Sequence, residues 1–126
     1  MAAPIVLQLY SVREALARDF AATVRRVATM GYFGVETASF PGTTPKEAKR
    51  LFDELGLVVT SAHLPLPVGE KQQEVLDTMA DLGCERLVCT YLSPESYNST
   101  VEQIKHNCDL VNGRLRIGGT SRVWLP

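Results

Sequence analysis

Two side chains in this sequence suit proton transfer near neutral pH, the carboxylate of Glu36 and the imidazole of His63, and two more, Gln8 and Tyr10, can orient a polar ligand by hydrogen bonds. All four close short apolar runs. In residues 5–10, alternation puts Ile5, Leu7 and Leu9 on one face and Val6, Gln8 and Tyr10 on the other. In Gly34-Val35-Glu36-Thr37 it turns Val35 toward the helices and Glu36 away from them, and in residues 57–63 it groups Val59, Ser61 and His63. A carboxylate and an imidazole at neighbouring strand ends suit acid–base work or metal ligation. Each also has a plainer reading. Glu36 is equally a structural carboxylate paired with Arg13, since a buried charge needs a partner, and His63 is equally a hydrogen-bonded packing residue. His106, beside Lys105, reads as a solvated helix position.

The elements that bring these ends together follow from caps and periodicity. Asp19 suits an N-cap for a helix with Phe20, Val24, Val27 and Met30 on one face, and Gly31 suits the left-handed position that ends it. Thr44-Pro45-Lys46-Glu47 joins an N-cap threonine, a proline at the first helical position and a capping-box glutamate, so a second helix starts there and stops at Gly56. A third covers 70–82, burying Val75, Leu76, Met79 and Leu82 before Gly83. Ser99-Thr100-Val101-Glu102 reads as a further capping box, opening a helix whose apolar face holds Val101, Ile104, Cys108 and Val111. Strands over 5–10, 34–37, 57–62 and 86–90 alternate with these helices, the pattern of a parallel α/β sheet covered by helices. Ligands of such sheets bind beyond the carboxyl ends of the strands, where Gln8, Tyr10, Glu36 and His63 lie.

Composition narrows the function. With 13 basic and 14 acidic residues interspersed and a formal charge of −1, the chain offers no field that would gather nucleic acid or an anionic membrane. No apolar run approaches the ~20 residues of a membrane span, and Met1-Ala2-Ala3-Pro4 lacks the features of a signal peptide, so a soluble cytoplasmic protein is expected. Cys84, Cys89 and Cys108 form no CxxC pair and read as buried, reduced thiols. Asn98-Ser99-Thr100 matches the glycosylation sequon without a secretory context, and Gly118-Gly119 reads as a turn. Residues 1–126 make one domain, with regular units over 4–112 and an atypical tail over 113–126 that holds at most a short strand, near 115–117.

Leu7-Gln8-Leu9-Tyr10-Ser11-Val12-Arg13, followed by Met30-Gly31-Tyr32-Phe33-Gly34-Val35-Glu36, resembles the opening of the xylose isomerase-like sugar phosphate isomerase/epimerase family. Thr60-Ser61-Ala62-His63-Leu64-Pro65 resembles that family's third strand, and Leu82-Gly83-Cys84-Glu85-Arg86-Leu87-Val88 its fourth. The likeness runs over about residues 4 to 112. It implies the first half of a TIM barrel, a parallel (β/α)4 unit, in a family that isomerises, epimerises or dehydrates sugars and polyols, usually with a divalent metal such as Mn or Mg. By that resemblance Glu36 and His63 are the candidate catalytic residues and Gln8 and Tyr10 the candidate substrate-binding ones. His63 could also bind metal by analogy with the related apurinic endonucleases. The family's main metal ligands and catalytic carboxylates come from its fifth to eighth strands, so no metal is expected to be held by this chain, which resembles a truncated or frame-shifted copy.

A full barrel runs to about 250 residues and has no edges, so half of one leaves two open edges and an inward face carrying Val6, Val59 and Leu87 or Val88. Self-association, as a homodimer or higher assembly, is the expected remedy. Two functions follow: a sugar isomerase or epimerase working through Glu36 and His63 on a small sugar or polyol, or a non-catalytic half-barrel, either a polyol-binding module or an inactive fragment of such an enzyme. A nucleic-acid enzyme is disfavoured by the two histidines and the absence of a basic face.

Overall fold

A computed structural model describes residues 3–89, 100–115 and 122–124. Among the described residues there are five strands, β1 (Val6–Gln8), β2 (Gly34–Thr37), β3 (Val58–His63), β4 (Arg86–Val88) and β5 (Arg122–Trp124). The helices are α1 (Arg13–Arg18), α2 (Phe20–Thr29), α3 (Pro45–Glu54), α4 (Lys71–Leu82) and α5 (Val101–Leu115). The strands form one all-parallel sheet in sequential order. Helix-bearing connections that always return to the next position make this an α/β half-barrel.

The caps act where the sequence places them. The Asp19 carboxylate accepts from the Ala22 amide at 2.9 Å, and Gly31, at φ 85°, takes the left-handed turn after α2. Thr44 and Glu47 exchange both bonds of a capping box, each 3.2 Å long. At α5 the box is shifted by one residue: Thr100 pairs with Gln103, whose side chain accepts from the Thr100 amide at 2.9 Å. Ser99 lies outside the described residues, as do Thr90, Asn98 and residues 116–121.

Several expectations are corrected. The first strand stops at Gln8, and Leu9–Val12 form a 3-10 turn leading into α1, a helix the caps did not announce. The tail is not irregular throughout: α5 reaches Leu115, where the short strand was expected to begin, and a strand lies at Arg122–Trp124, beside β4 with Val88 opposite Trp124; residues 116–117 lie outside the described residues. Of the α5 stripe, Val101 and Ile104 are 68% and 52% exposed and Cys108 is exposed, while the side chain of Val111 lies outside the described residues; Cys84 and Cys89 are buried as expected. Met30, at 65% exposure, likewise lies outside the core that Phe20, Val24 and Val27 enter, and Leu76, expected to be buried with Val75 and Leu82, is 43% exposed.

That core occupies one side of the sheet. Leu9, Val35 and Ala62 from the sheet and its first turn meet Leu16, Val24 and Phe52 from the helices, with Phe20 tilted against Phe40 and Phe52. A second, smaller cluster joins Leu87 and Cys89 to Val75 and Leu66. The other side of the sheet is left to Val6, Gln8, Glu36, Val58 and Ser61, all half-buried or exposed. Among the described residues no helix is long and apolar enough to cross a membrane.

Candidate strand-end site

Register decides which polar groups meet. Gln8 stands opposite Glu36 in the β1–β2 ladder, and Glu36 opposite Ser61 in the β2–β3 ladder, so the three share the open face. The second pairing depends on a bulge. Val35 is opposite Val59, but Glu36 is opposite Ser61, so Thr60 is an extra residue in β3. Its hydroxyl donates to the Val35 carbonyl at 3.2 Å, satisfying an acceptor at the irregularity. The bulge corrects the expected grouping of Val59 with Ser61 and His63: Val59 packs against the helix-side core, and only Ser61 faces Glu36.

Glu36 is the centre of the cluster. Gln8 Nε2 donates to its Oε1 at 2.7 Å and Ser61 Oγ to its Oε2 at 2.5 Å. Two neutral donors on adjacent strands fix the carboxylate plane without neutralising its charge, and each oxygen keeps acceptor capacity for a ligand hydroxyl. The alternative in which Glu36 pairs with Arg13 is not what forms. The Arg13 guanidinium donates to the Tyr10 carbonyl at 3.1 Å and lies over the Tyr10 ring, 4.5 Å from its centroid. Among the described residues the ion pairs are Lys49–Asp53 and Lys71–Glu74, both on helix surfaces, and neither involves Glu36.

Of the four residues singled out in the sequence, Gln8 and Glu36 are in direct contact. His63 is half-buried at the end of β3, two residues beyond Ser61 and opposite Val88 of β4. Tyr10 sits beyond the strand in the 3-10 turn, 54% exposed, with its ring under Arg13. The participant underweighted in the sequence is Ser61; its signal is the spacing to His63, two residues along the same strand.

A groove of about 500 Å³ lies elsewhere, between the α1–α2 junction and the start of α3, with Arg18, Asp19, Thr43 and Glu47 in its wall. None of the strand-end residues lines it, so it is a feature of the helical layer and not of the Glu36 cluster. Among the described residues no group of three or more His, Cys, Asp or Glu side chains could hold a metal ion, and both Glu36 oxygens already accept hydrogen bonds. A catalytic divalent ion generally takes about three protein ligands, so these residues do not by themselves fit one.

No protein-family model and no curated protein sequence matches the chain. Among solved structures, two crystal structures of sugar phosphate isomerase/epimerase from Parabacteroides distasonis are similar to it. The first has a TM-score of 0.70 at 21% identity, over 99% of this chain and 50% of that one. The second has a TM-score of 0.70 at 23% identity, over 89% of this chain and 49% of that one. At such identity the likeness is one of fold. The chain spans about half the length of the structures it matches.

Proposed function

We propose that this chain forms one wall of a sugar or polyol pocket of the kind used by sugar phosphate isomerases and epimerases, with Glu36 as the proton acceptor. The observation that carries this reading is the Glu36 carboxylate, held by Gln8 and Ser61 on the open face at the carboxyl ends of parallel strands. Such a carboxylate suits removal of a proton from carbon next to a sugar carbonyl. The C–H electron pair moves into an enediolate, and the charge reaches the carbonyl oxygen, where His63 supplies a hydrogen bond. Return of the proton by Glu36 to the neighbouring carbon, with that carbon's hydroxyl proton passing to the former carbonyl oxygen, gives the isomer; epimerisation requires a second acid on the opposite face of the enediolate. Gln8 and Ser61 are positioning residues for Glu36, and Tyr10 shapes the rim.

A second reading, a half-barrel that binds polyols without turning them over, is favoured by the lack of a three-ligand metal cluster among the described residues. Incubation of the protein with ketoses and ketose phosphates in D₂O, with and without Mn²⁺ or Mg²⁺, separates the two by ¹H NMR. Deuterium entering the carbon next to the carbonyl, lost in Glu36→Gln, supports the enzyme. Binding without exchange supports the non-catalytic module. Neither binding nor exchange overturns both. Metal analysis of the purified protein and of His63→Ala adds a readout independent of turnover.

A further inference from the structure

Two features of the helical layer stand without a partner among the described residues, and they are complementary. The first is α5. Over residues 101–109 only Asn107 is half-buried and the rest are exposed, Val101, Ile104 and Cys108 among them. Most helical stability in a protein comes from packing an amphipathic face, which this helix does not obtain from its own chain. Helical periodicity puts Glu102 and Asp109 two turns apart on one flank of the apolar stripe, with Lys105 between them. Neither acid has a cationic partner among the described residues.

The second feature is the groove at the α1–α2 junction. Extended backbone at Asp19 separates the two helices, and the step this makes meets the start of α3. Ala17, Ala21 and Leu51 line the groove with exposed or half-buried apolar surface, and Arg18 and Arg50 line it as exposed cations. Neither arginine has a carboxylate partner among the described residues. The groove's own acids Asp19 and Glu47 accept from amides at the starts of α2 and α3, so their charge is set against the positive ends of those helices. Its remaining acid, Glu54, is opposite in sign to Lys105 of α5.

We propose that α5 of one copy lays Val101 and Ile104 into this groove on a second copy, with Glu102 and Asp109 set against Arg18 and Arg50. The helix cannot reach the groove of its own chain, because it follows β4 at the far end of the sheet and α4 lies between. Reciprocal docking gives a two-fold dimer with two identical contacts, each a helix in a groove. A net charge of −1 sets up little repulsion between copies. The proposal is independent of the Glu36 reading, since neither surface contains Glu36 or the residues that hold it.

Sedimentation equilibrium of the intact chain tests it, with circular dichroism confirming that each variant folds. The wild type should dimerise at micromolar concentration, less tightly in high salt. Ile104→Glu should raise the dissociation constant about tenfold or more. Reversing the helix flank (Glu102→Lys with Asp109→Lys) or the groove (Arg18→Glu with Arg50→Glu) should each have a similar effect. An equimolar mixture of the two reversed chains should recover dimers within about threefold of wild-type affinity, because each helix then meets a groove of opposite charge. An interchain disulfide should also form between Cys108 and the thiol introduced by Ala17→Cys, and be lost with Cys108→Ser. A monomeric wild type overturns the proposal. A dimer that survives reversal of the groove arginines overturns it too, and puts the contact at the outer strand edges or between two α5 helices. Reversed chains that stay apart when mixed overturn the charge match and with it this partner.

Discussion

Replacing Gly34 by alanine should damage the sheet at the place where the site is aligned. Gly34 opens β2 opposite Val58, and a Cβ built on it would sit inside the contact distance of the Val58 carbonyl oxygen, with the carbonyl carbon at 3.1 Å and the Val58 Cβ at 3.3 Å. The nearest atoms are backbone and cannot swing away, so β2 and β3 must separate. The Val58 amide, already 3.2 Å from the Phe33 carbonyl, would lose that bond, which is worth about 1 kcal/mol. Overpacking adds about 1–3 kcal/mol, and the stiffer unfolded chain returns about 0.4–1 kcal/mol. The net loss is about 2.3 kcal/mol. With an unfolding entropy of about 0.26 kcal/mol/K for a chain this long, the midpoint should fall by about 9 °C. Gly31→Ala is the control: it has open space around it but a φ of 85°, so only the backbone penalty of about 1 kcal/mol applies, or about 4 °C. Thermal and urea unfolding followed by circular dichroism measure both. A Gly34→Ala protein within about 0.5 kcal/mol of wild type, or no worse than Gly31→Ala, would refute the claim that backbone approach, and not backbone conformation, requires glycine there.

Thiol chemistry should divide the cysteines. Exposed Cys108 is expected to react with a disulfide reagent at pH 8 in the folded protein, and buried Cys84 and Cys89 only after unfolding; rapid reaction of all three would contradict the packing. Burial pushes the Cys89 thiol up to about 11, so above about pH 9 the unfolded chain releases a proton that the folded chain keeps. Stability should therefore fall as pH rises from about 9 to 11, by up to about 1.4 kcal/mol per unit from this group, and Cys89→Ala should flatten that slope in urea titrations. The outer edges of β1 and β5 have no neighbouring strand among the described residues, and Val58 on the open face is 45% exposed, so self-association is expected. Light scattering after size exclusion should give at least twice the chain mass at micromolar concentration, and a stable monomer would count against it.

Much of this architecture is local and so was legible in the residues. Asp19, Thr44 and Glu47 cap helices through contacts three residues apart, and the alternation in Gly34–Thr37 puts Val35 into the core and Glu36 on the open face. What escaped is set by pairing between distant segments. Nothing in Val59-Thr60-Ser61 announces a bulge, because each residue is acceptable in a regular strand and the irregularity exists only relative to β2. Arg13 had two partners within reach by sequence, Glu36 across the strands and Tyr10 three residues back, and the turn at Leu9–Val12 gave it the near one. Val101, Ile104 and Cys108 of the periodic α5 stripe are exposed, since periodicity says which residues share a face and not whether anything covers it.

The bulge at Thr60 gives the third strand two independent jobs. Upstream, Val59 answers to the oily layer beneath the helices; downstream, Ser61 answers to a carboxylate on the wet side. A perfectly regular strand would have bound both to one parity, so that improving the fit of either meant moving the other. The extra residue works like a slip joint, letting the hydrophobic half and the polar half of a six-residue strand be tuned separately.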